Sequence, residues 1–270
     1  MTGGGGGPAY IAAAFAGHGR RAALMPYLMG GFPDVGASRA IGEACAEAGA
    51  DLVELGVPYS DPLADGPVIH AAGSAALRAG ARLDDVLDVG GALSEQLPVV
   101  LMCYANLVYA RGLERFVDGL AARGIAGLIV PDLPLEEAPA ALDACDAAGV
   151  ALVPLVAPNT PDDRLAAIGE HARGFVYTVA VTGTTGERRA FGDGLAGVLE
   201  RTRRHASVPV ALGFGISTPE HARAAAAAGA DGVIVGSRLV REAGEAVDRG
   251  DDPAAAVGAV VEALGAGLAA

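Results

Sequence analysis

The chain contains no lysine, and its net charge of −13 arises because 32 acidic side chains outnumber 19 arginines. A lysine amine is the group that forms a Schiff base with a carbonyl substrate or with pyridoxal phosphate. Its absence excludes a Schiff-base aldolase and a pyridoxal-phosphate enzyme that anchors its cofactor in the usual way. The acidity argues against a nucleic-acid binder, which needs a basic surface.

Cysteine is scarce as well. Cys45, Cys103 and Cys145 are an odd number in apolar surroundings, without the close pairs of a zinc site or a redox motif. We interpret them as buried free thiols. His, Asp and Glu do not cluster at metal-ligand spacing either, so no metal and no other cofactor is predicted.

Long apolar runs are missing. Hydrophobic residues make up 52% of the chain, yet no run reaches the roughly 20 residues that span a bilayer. The apolar residues 10–17 are followed by Arg20 and Arg21, the reverse of a secretory signal. These features predict a cytoplasmic protein with no membrane segment.

No Ser/Pro-rich linker divides the chain, and its composition is uniform, which predicts a single domain. Only the glycine run at residues 3–7 and the tail after Gly250 depart from the pattern described next. Residues 1–9 are predicted to form a disordered glycine-rich N-terminus, and residues 10–270 the folded domain.

Short β-rich runs alternate with helix-patterned stretches along most of the chain. Several of the predicted helices end at Ala-Gly before the next strand. Eight strands alternating with helices predict an α/β fold of the (β/α)8 TIM barrel type. An open doubly wound sheet gives the same alternation, but no Gly-x-Gly-x-x-Gly follows the first strand. The predicted strands are residues 23–29, 51–57, 99–104, 127–131, 150–156, 174–179, 208–214 and 231–235.

Residues 52–69 are the most informative stretch. A short apolar run that indicates a buried strand carries Glu54, and the proline-rich loop after it holds Asp61 and Asp65. An inward carboxylate is costly to desolvate, and a second carboxylate nearby gives a reason for it, because paired acids with different pKa values can divide acid and base roles. The alternatives are a buried ion pair for Glu54 and a turn or cap for Asp65.

Glycines at the ends of three late strands indicate an anion site. Residues 183–186, 213–217 and 236–237 each combine glycine with a hydroxyl side chain. Exposed backbone N–H groups at a helix N-terminus bind anions, commonly phosphate in this fold. A single one of these would be weak evidence, because glycine also simply ends strands.

The stretch Glu54-Leu-Gly-Val-Pro-Tyr-Ser-Asp-Pro-Leu-Ala-Asp65-Gly-Pro resembles the signature of the tryptophan synthase alpha subunit family. Residues 102–107, 131–134, 213–217 and 236–237 match the same family in order, within a similarity that covers residues 22–240. The resemblance implies a lyase of tryptophan biosynthesis that splits indole-3-glycerol phosphate into indole and glyceraldehyde 3-phosphate by a retro-aldol reaction. It also implies a pyridoxal-phosphate beta subunit that receives the indole, in a heterotetramer of two alpha and two beta chains.

By this resemblance Glu54 protonates indole C3 and removes a proton from the glycerol hydroxyl, while Asp65 binds the ring N–H and stabilises positive charge on the indolenine. Tyr177 matches the tyrosine that orients the glutamate, and Thr185 the threonine that bonds the aspartate on closure. Ordinary barrel packing is the alternative for Tyr177 and for each pocket residue. The implied phosphate-binding residues are Gly186, Gly215, Gly236 and Ser237, and the implied indole pocket is Tyr27, Met102, Ile129, Val156, Phe214 and Ile234.

Two departures from the family pattern stand out. Many members carry Ser-Arg-x-Gly-Val-Thr-Gly after the sixth strand, whereas residues 180–186 here are Ala-Val-Thr-Gly-Thr-Thr-Gly, without the arginine. Tyr27 and Met102 stand where phenylalanine and leucine are frequent. These changes leave the chemistry intact but bear on loop closure and on coupling to a partner.

Three functions are consistent with the resemblance: a catalytic alpha subunit, a non-catalytic regulatory partner of a beta subunit, and a free-standing lyase that releases indole. The presence of both Glu54 and Asp65 favours catalysis, since a binding partner has no need of two carboxylates. A complex is favoured by residues in loops like those that the family uses against its partner. These residues are Pro58, Asp61, Asn106 and Pro134.

Overall fold

The structure is a computed structural model that describes residues 6–179, 195–213 and 215–269. Within these ranges, parallel strands alternate with helices as the sequence predicts. The strands are β1 (Ala23–Met29), β2 (Val53–Gly56), β3 (Val99–Met102), β4 (Gly127–Ile129), β5 (Ala151–Leu152), β6 (Leu155–Val156), β7 (Val176–Val179), β8 (Val210–Gly213) and β9 (Gly232–Val235).

Helices follow most of the strands, and a short 3-10 helix, Leu135–Glu137, precedes α7. The α-helices are α1 (Gly7–Gly17), α2 (Val35–Glu47), α3 (Pro67–Arg78), α4 (Leu83–Ser94), α5 (Ala105–Arg111), α6 (Leu113–Ala121), α7 (Pro139–Ala148), α8 (Asp162–His171), α9 (Leu195–His205), α10 (Pro219–Ala227), α11 (Ser237–Arg249) and α12 (Pro253–Gly267).

The strands pair in the order β5-β4-β3-β2-β1-β9-β8-β7-β6, and the predicted (β/α)8 barrel is confirmed. The fifth predicted strand is divided into β5 and β6 because Pro154 has no N–H for a continuous ladder. Its two halves bond to different neighbours and so close the barrel. The Val153 N–H donates to the Leu128 carbonyl at 2.9 Å, and the Tyr177 N–H donates to the Pro154 carbonyl at 2.9 Å.

Side chains alternate between two apolar layers, one inside the barrel and one between the sheet and the helices. On β2, Val53 and Leu55 lie in the outer layer. The period of two therefore turns Glu54 and Gly56 into the barrel interior. The sequence pattern alone thus places a carboxylate inside a layer that is otherwise apolar.

Helix α1 closes the amino-terminal end of the barrel. Ile11 is fully buried in the inner layer, and the ring of Phe15 lies 5.7 Å from the ring of Phe175. These two side chains cover the first residues of the strands, leaving the opposite, carboxyl-terminal end open.

The boundary of the glycine-rich N-terminus differs from the prediction. Residues 7–9 were assigned to a disordered segment, but they form the first turn of α1. The Gly7 N–H donates to the Gly149 carbonyl at 2.7 Å, and a Cβ on Gly7 would collide with the Ala126 carbonyl oxygen. Glycine is therefore needed where α1 meets the barrel, whereas residues 1–5 lie outside the described residues.

The three cysteines are buried free thiols, as predicted. Burial raises the pKa of the Cys45 and Cys145 thiols to about 12, so both stay protonated at neutral pH. Among the described helices, none combines the length and the apolar character needed to cross a bilayer.

Candidate active site

Glu54 is fully buried inside the barrel near the carboxyl end of β2. Among the described residues, neither of its carboxylate oxygens has a hydrogen-bond partner. Burial, with a smaller contribution from the charge of Asp65, raises the pKa of Glu54 to about 8. The carboxyl group is thus protonated at neutral pH and has a proton to give.

Asp65 lies in the loop between β2 and α3 and has different surroundings. The Tyr104 hydroxyl donates to Asp65 Oδ1 at 3.1 Å and accepts from the Ala64 N–H at 3.0 Å. The Tyr59 ring stacks on Tyr104 with centroids 5.1 Å apart. Burial raises the pKa of Asp65, while the Tyr104 hydrogen bond and the nearby His70 oppose that rise. Asp65 is therefore held by a hydroxyl donor from the segment between β3 and α5, which Glu54 lacks.

Two buried tyrosines, Tyr27 on β1 and Tyr177 on β7, line the same cleft as Glu54. Burial raises the pKa of both phenols well above the usual value, and the charge of Glu54 adds to it, so both stay neutral. Glycines make room for their hydroxyls. A Cβ on Gly56 would collide with the Tyr27 hydroxyl, and one on Gly213 with the Tyr177 hydroxyl.

These groups surround a cleft at the carboxyl-terminal end of the barrel, open to solvent on one side. Most of the predicted site residues line it together, although they come from five strands and from the segments that follow β2, β8 and β9. The predicted residues that line the cleft are Tyr27, Glu54, Asp65, Met102, Tyr177, Gly215, Ile234, Gly236 and Ser237.

The part of the cleft lined by Gly215, Gly236 and Ser237 suits an anion. Ser237 is the first residue of α11, a helix of 13 residues, and Gly236 is its N-cap. Gly215 has a φ of 82°, which other residues rarely adopt. Backbone N–H groups and the positive end of the helix dipole therefore face this end of the cleft.

The indole-pocket prediction needs one correction and one adjustment. Leu155 pairs with Tyr177 in the barrel register and lines the cleft, whereas Val156 pairs with Thr178 and packs in the outer layer. A shift of one residue along a strand reverses the face, so Val156 is not a pocket residue. Ile129 is fully buried in the inner layer below the cleft, and Pro131, two residues further on, lines the cleft in its place.

Three predicted site residues lie outside the described residues: Thr185, Gly186 and Phe214. The altered loop at residues 180–186 lies there too.

Sequence reasoning assigned no role to Tyr104, although it is part of the 102–107 stretch that matches the family. Its contact with Asp65 joins residues 39 positions apart, so only the fold brings them together. Strand alternation measured from Tyr177 could have identified Leu155. Other lining residues that were not predicted are Ala64, Ile69 and Ile216.

A second, larger cavity lies outside the barrel between α7 and α8 and shares Pro131 and Leu155 with the cleft. Its lining is mainly apolar, and its Arg164 is engaged in a bidentate ion pair with Glu136. Among the described residues that line this cavity, Asp143 is the only one with a carboxyl group, so they contain no pair like Glu54 and Asp65.

A barrel with two unlike carboxyl groups, an apolar cleft and a helix N-terminus on one face is typical of an acid–base enzyme. The comparisons with known proteins identify the family. The tryptophan synthase alpha chain model matches residues 14–267, and the chain belongs to this family.

Relatives support the assignment along nearly the whole chain. The tryptophan synthase alpha chain of Prochlorococcus marinus (strain MIT 9313) is 50% identical over 225 residues, which is 82% of this chain and 81% of the relative. The solved structure of Mycobacterium tuberculosis tryptophan synthase matches with a TM-score of 0.88 at 39% identity, covering 96% of this chain and 98% of that one. The structure described as the tryptophan synthase a2b2 complex of Pyrococcus furiosus matches with a TM-score of 0.84 at 36% identity, covering 92% and 98%.

The resemblance noted from the sequence is thus confirmed. The chain is a lyase of tryptophan biosynthesis, which cleaves indole-3-glycerol phosphate to indole and glyceraldehyde 3-phosphate.

Proposed function

We propose that Glu54 and Asp65 carry out this cleavage in the cleft, Glu54 as the proton-transfer group and Asp65 as the partner of the indole nitrogen. The observation that carries the proposal is the difference between the two carboxyl groups. Glu54 is fully buried without a donor, with a pKa raised to about 8. Asp65 is half-buried and accepts a hydrogen bond, so it is the better anion.

In the proposed reaction Glu54 gives one proton and later receives one proton back. The protonated carboxyl gives its proton to indole C3, and the positive charge that develops on the ring nitrogen is stabilised by the Asp65 carboxylate. The bond between C3 and C1′ of the glycerol chain breaks, and its electron pair returns to the ring. The C1′ hydroxyl becomes the aldehyde and returns its proton to Glu54.

The apolar wall and the anion site hold the two ends of the substrate. Tyr27, Met102, Leu155 and Ile234 line the part of the cleft suited to the indole ring. The phosphate binds at the start of α11, where the helix dipole favours negative charge. Tyr177 orients Glu54, to which it is electrostatically coupled. Thr185, Gly186 and Phe214 keep the closing, phosphate-binding and pocket roles that the family resemblance implies.

We infer that the chain works in a complex with a beta subunit, as two alpha and two beta chains. The Pyrococcus furiosus relative is described as such an a2b2 complex. Two large apolar side chains near the cleft opening are well exposed: Leu63, in the Asp65 loop, is 79% exposed and Tyr109, on α5, is 48% exposed. Exposed apolar groups at one face favour a protein partner there. The free thiols fit a reducing compartment such as the cytoplasm.

The Glu54→Gln variant tests the proposed chemistry. It preserves the size of the side chain and removes the transferable proton, so lyase turnover should fall by at least about a hundredfold while substrate binding is retained. Glu170→Gln, on the exposed face of α8, is the matched control and should leave turnover unchanged. Normal turnover in Glu54→Gln would reject the assignment, and an inactive parent chain with intact binding would favour the non-catalytic regulatory role.

A further inference from the structure

Asp132 is a carboxyl group beside the site that the proposed reaction does not use. It belongs to the stretch 131–134, which matches the family in sequence, and it follows Pro131, which lines the cleft. Asp132 itself is exposed. Its Oδ1 accepts from the Ala105 N–H at 2.9 Å. The side chain therefore joins the segment after β4 to the start of α5.

A tight turn holds the backbone of Asp132. The Leu133 N–H donates to the Val130 carbonyl at 3.2 Å, which closes a four-residue turn with Pro131 and Asp132 at its central positions. Proline is favoured at the first of these positions because its φ is fixed. The turn thus needs no bond from the Asp132 side chain, which is left to bond to α5.

The start of α5 has no cap from its own N-cap residue. That residue is Tyr104, and its side chain makes no bond to the helix, because the hydroxyl is bound to Asp65 and to the Ala64 N–H. The first N–H groups of a helix have no partner within it, and the helix dipole favours a carboxylate there. Because α5 has only seven residues, a loosened first turn would reach Tyr104 directly. Asp132 supplies the missing cap from another segment.

The Tyr104 hydroxyl has a fixed direction. Its oxygen accepts from the Ala64 N–H, so its single proton is directed to Asp65 Oδ1. Burial raises the pKa of Tyr104, and the charges of Asp65 and Asp132 add to the rise, so the phenol stays a neutral donor. A small displacement of the Tyr104 backbone would break this alignment, since hydrogen bonds weaken steeply with angle.

The ionisable groups that face Asp65 come from several elements. They are Glu54 on β2, Tyr27 on β1, His70 on α3 and Tyr104. The charge of Asp132 acts on Tyr104 instead. An effect of Asp132 on Asp65 is therefore expected to pass through Tyr104.

We propose that Asp132 is a positioning residue of the lyase reaction: by holding the Ala105 N–H it fixes Tyr104, which in turn holds Asp65 as the partner of the indole nitrogen. This inference rests on the proposed function and deepens it. Asp132 touches no reacting atom. Its loss lets the Tyr104 hydroxyl move away from Asp65, which then lacks a donor that favours its ionised form.

The test follows the acidic limb of the kcat profile, which reports the ionisation of Asp65 in the proposed reaction. Asp132→Ala should move this limb to higher pH by up to about one unit, the scale of one hydrogen bond. Asp132→Asn keeps an oxygen that accepts from the Ala105 N–H, so its limb should stay at the parent position. Glu137→Ala changes an exposed acid in the 3-10 helix of the same segment and is the matched control, with an unmoved limb. Circular dichroism checks that each variant is folded.

A double variant shows whether Asp132 acts through Tyr104. Adding Asp132→Ala to Tyr104→Phe should move the limb no further than Tyr104→Phe alone, because the hydroxyl is already absent. A direct effect of the Asp132 charge has the opposite sign. Loss of a nearby negative charge lowers the pKa of Asp65, so the limb would move to lower pH in both Asp132→Ala and Asp132→Asn.

Three outcomes would overturn the inference. If Tyr104→Phe moves the limb to higher pH and Asp132→Ala does not, Tyr104 keeps its place without Asp132. Equal shifts in Asp132→Ala and Asp132→Asn would mean that the bond to the Ala105 N–H is not the cause. A further shift in the double variant would mean that Asp132 does not act through Tyr104. Failure of the proposed role of Asp65 is distinguishable, because neither Tyr104→Phe nor Asp132→Ala would then move the limb, and the inference would fall with it.

Discussion

Glu54 and Asp65 carry the same chemical group, but their surroundings give them different proton affinities. The sequence indicated both residues, because a carboxylate within an apolar strand followed closely by a second one is unusual. The sequence did not indicate which would be harder to ionise. That difference comes from complete burial of Glu54 and from the Tyr104 hydroxyl bound to Asp65, and both depend on contacts between distant segments.

The raised pKa of Glu54 predicts a pH-dependent stability. The folded chain holds this proton up to a pH of about 8, whereas the unfolded chain releases it near 4.5. The folded state therefore binds more protons between these values, and stability is lost as pH rises through this window. Glu54→Gln removes the titrating group. Its free energy of unfolding relative to the parent should rise from pH 5 to pH 8 by on the order of a few kcal/mol.

Urea denaturation of both proteins at several pH values measures this difference. The Glu170→Gln control should change the free energy of unfolding by less than about 0.5 kcal/mol, because Glu170 is exposed. A pH-independent difference for Glu54→Gln would mean that Glu54 ionises normally in the folded protein.

Tyr104 supplies a second prediction, about the pKa of Asp65. Its hydrogen bond lowers that pKa, so Tyr104→Phe should raise it. If ionised Asp65 stabilises the charged ring, lyase activity is lost as pH falls through this pKa, and the acidic limb of the kcat profile should move to higher pH in the variant. Tyr59 stacks on Tyr104 but makes no direct hydrogen bond to Asp65. Tyr59→Phe keeps this ring stack, so the acidic limb of its kcat profile should not move. If the acidic limb does not move in Tyr104→Phe, Asp65 is not the group whose ionisation controls turnover.

At the scale of elements, the β-rich runs located every strand that the structure describes, because each is a short apolar segment between turns. On the fifth predicted strand, the residue expected to face the pocket was wrong. Pro154 breaks the fifth strand into two short pieces that bond to different neighbours. Val156 was expected in the pocket from the family resemblance, but the pairing with β7 turns Leu155 into the cleft instead.

Two identical Ala-Gly-Ala-Asp stretches, at residues 48–51 and 228–231, make the same clamp at the amino-terminal end of the barrel. In the first, the Leu24 N–H donates to Asp51 Oδ2 at 2.7 Å. Arg20 ion-pairs with Asp51 and donates to the Gly49 carbonyl at 2.8 Å. Each clamp thereby ties the end of a helix to the neighbouring strand and to an arginine.

The second clamp repeats these contacts with other residues. The Val210 N–H donates to Asp231 Oδ2 at 2.9 Å, and Arg203 donates to the Gly229 carbonyl at 3.0 Å while pairing with Asp231 at 3.3 Å. The side chain of Asp231 is 33% exposed. Solvent therefore screens this pair more than the pair in the first clamp.

The difference in exposure predicts unequal stability losses. The side chain of Asp51 is 13% exposed, so Asp51→Ala leaves the Leu24 N–H without its acceptor and Arg20 without its counter-ion, with only the Gly49 carbonyl remaining, and should cost about 2 to 4 kcal/mol. Asp231→Ala should cost less, about 1 to 2 kcal/mol. Asp248→Ala, on the exposed side of α11, should change stability by less than about 0.5 kcal/mol. Thermal or urea unfolding checks the order, and equal losses at Asp51 and Asp248 would contradict it.

At the scale of the whole molecule, the two ends of the barrel have separate tasks. The amino-terminal end is closed by α1 and held by the two clamps. The carboxyl-terminal end carries the cleft and the exposed Leu63 and Tyr109. The alternation of strands and helices was sufficient to predict this arrangement, because the chemistry of a barrel lies at the carboxyl ends of its strands. The outward apolar side chains could not be distinguished from core residues before the fold was known.

The last prediction concerns the partner face. If a beta subunit binds at Tyr109, Tyr109→Asp should weaken its association with the chain by at least about tenfold, because a charge would be buried in an apolar contact. The lyase activity of the isolated chain should not change, since Tyr109 does not line the cleft. Val247→Asp is the matched control: Val247 is 45% exposed near the carboxyl end of α11, toward the closed end of the barrel, and its replacement should leave association intact.

The same complex must obey reciprocal coupling. If the beta subunit raises substrate affinity at the cleft by some factor, then a ligand in the cleft must tighten the complex by the same factor. Calorimetry of the parent pair with and without a non-cleavable indole phosphate measures one side of this cycle, and ligand binding with and without the beta subunit measures the other. Coupling that is present in the parent should persist in Val247→Asp. In Tyr109→Asp it should appear only at beta-subunit concentrations high enough to restore the complex. A chain that shows neither association nor any change of lyase turnover with its cognate beta subunit would instead act as a free-standing lyase that releases indole.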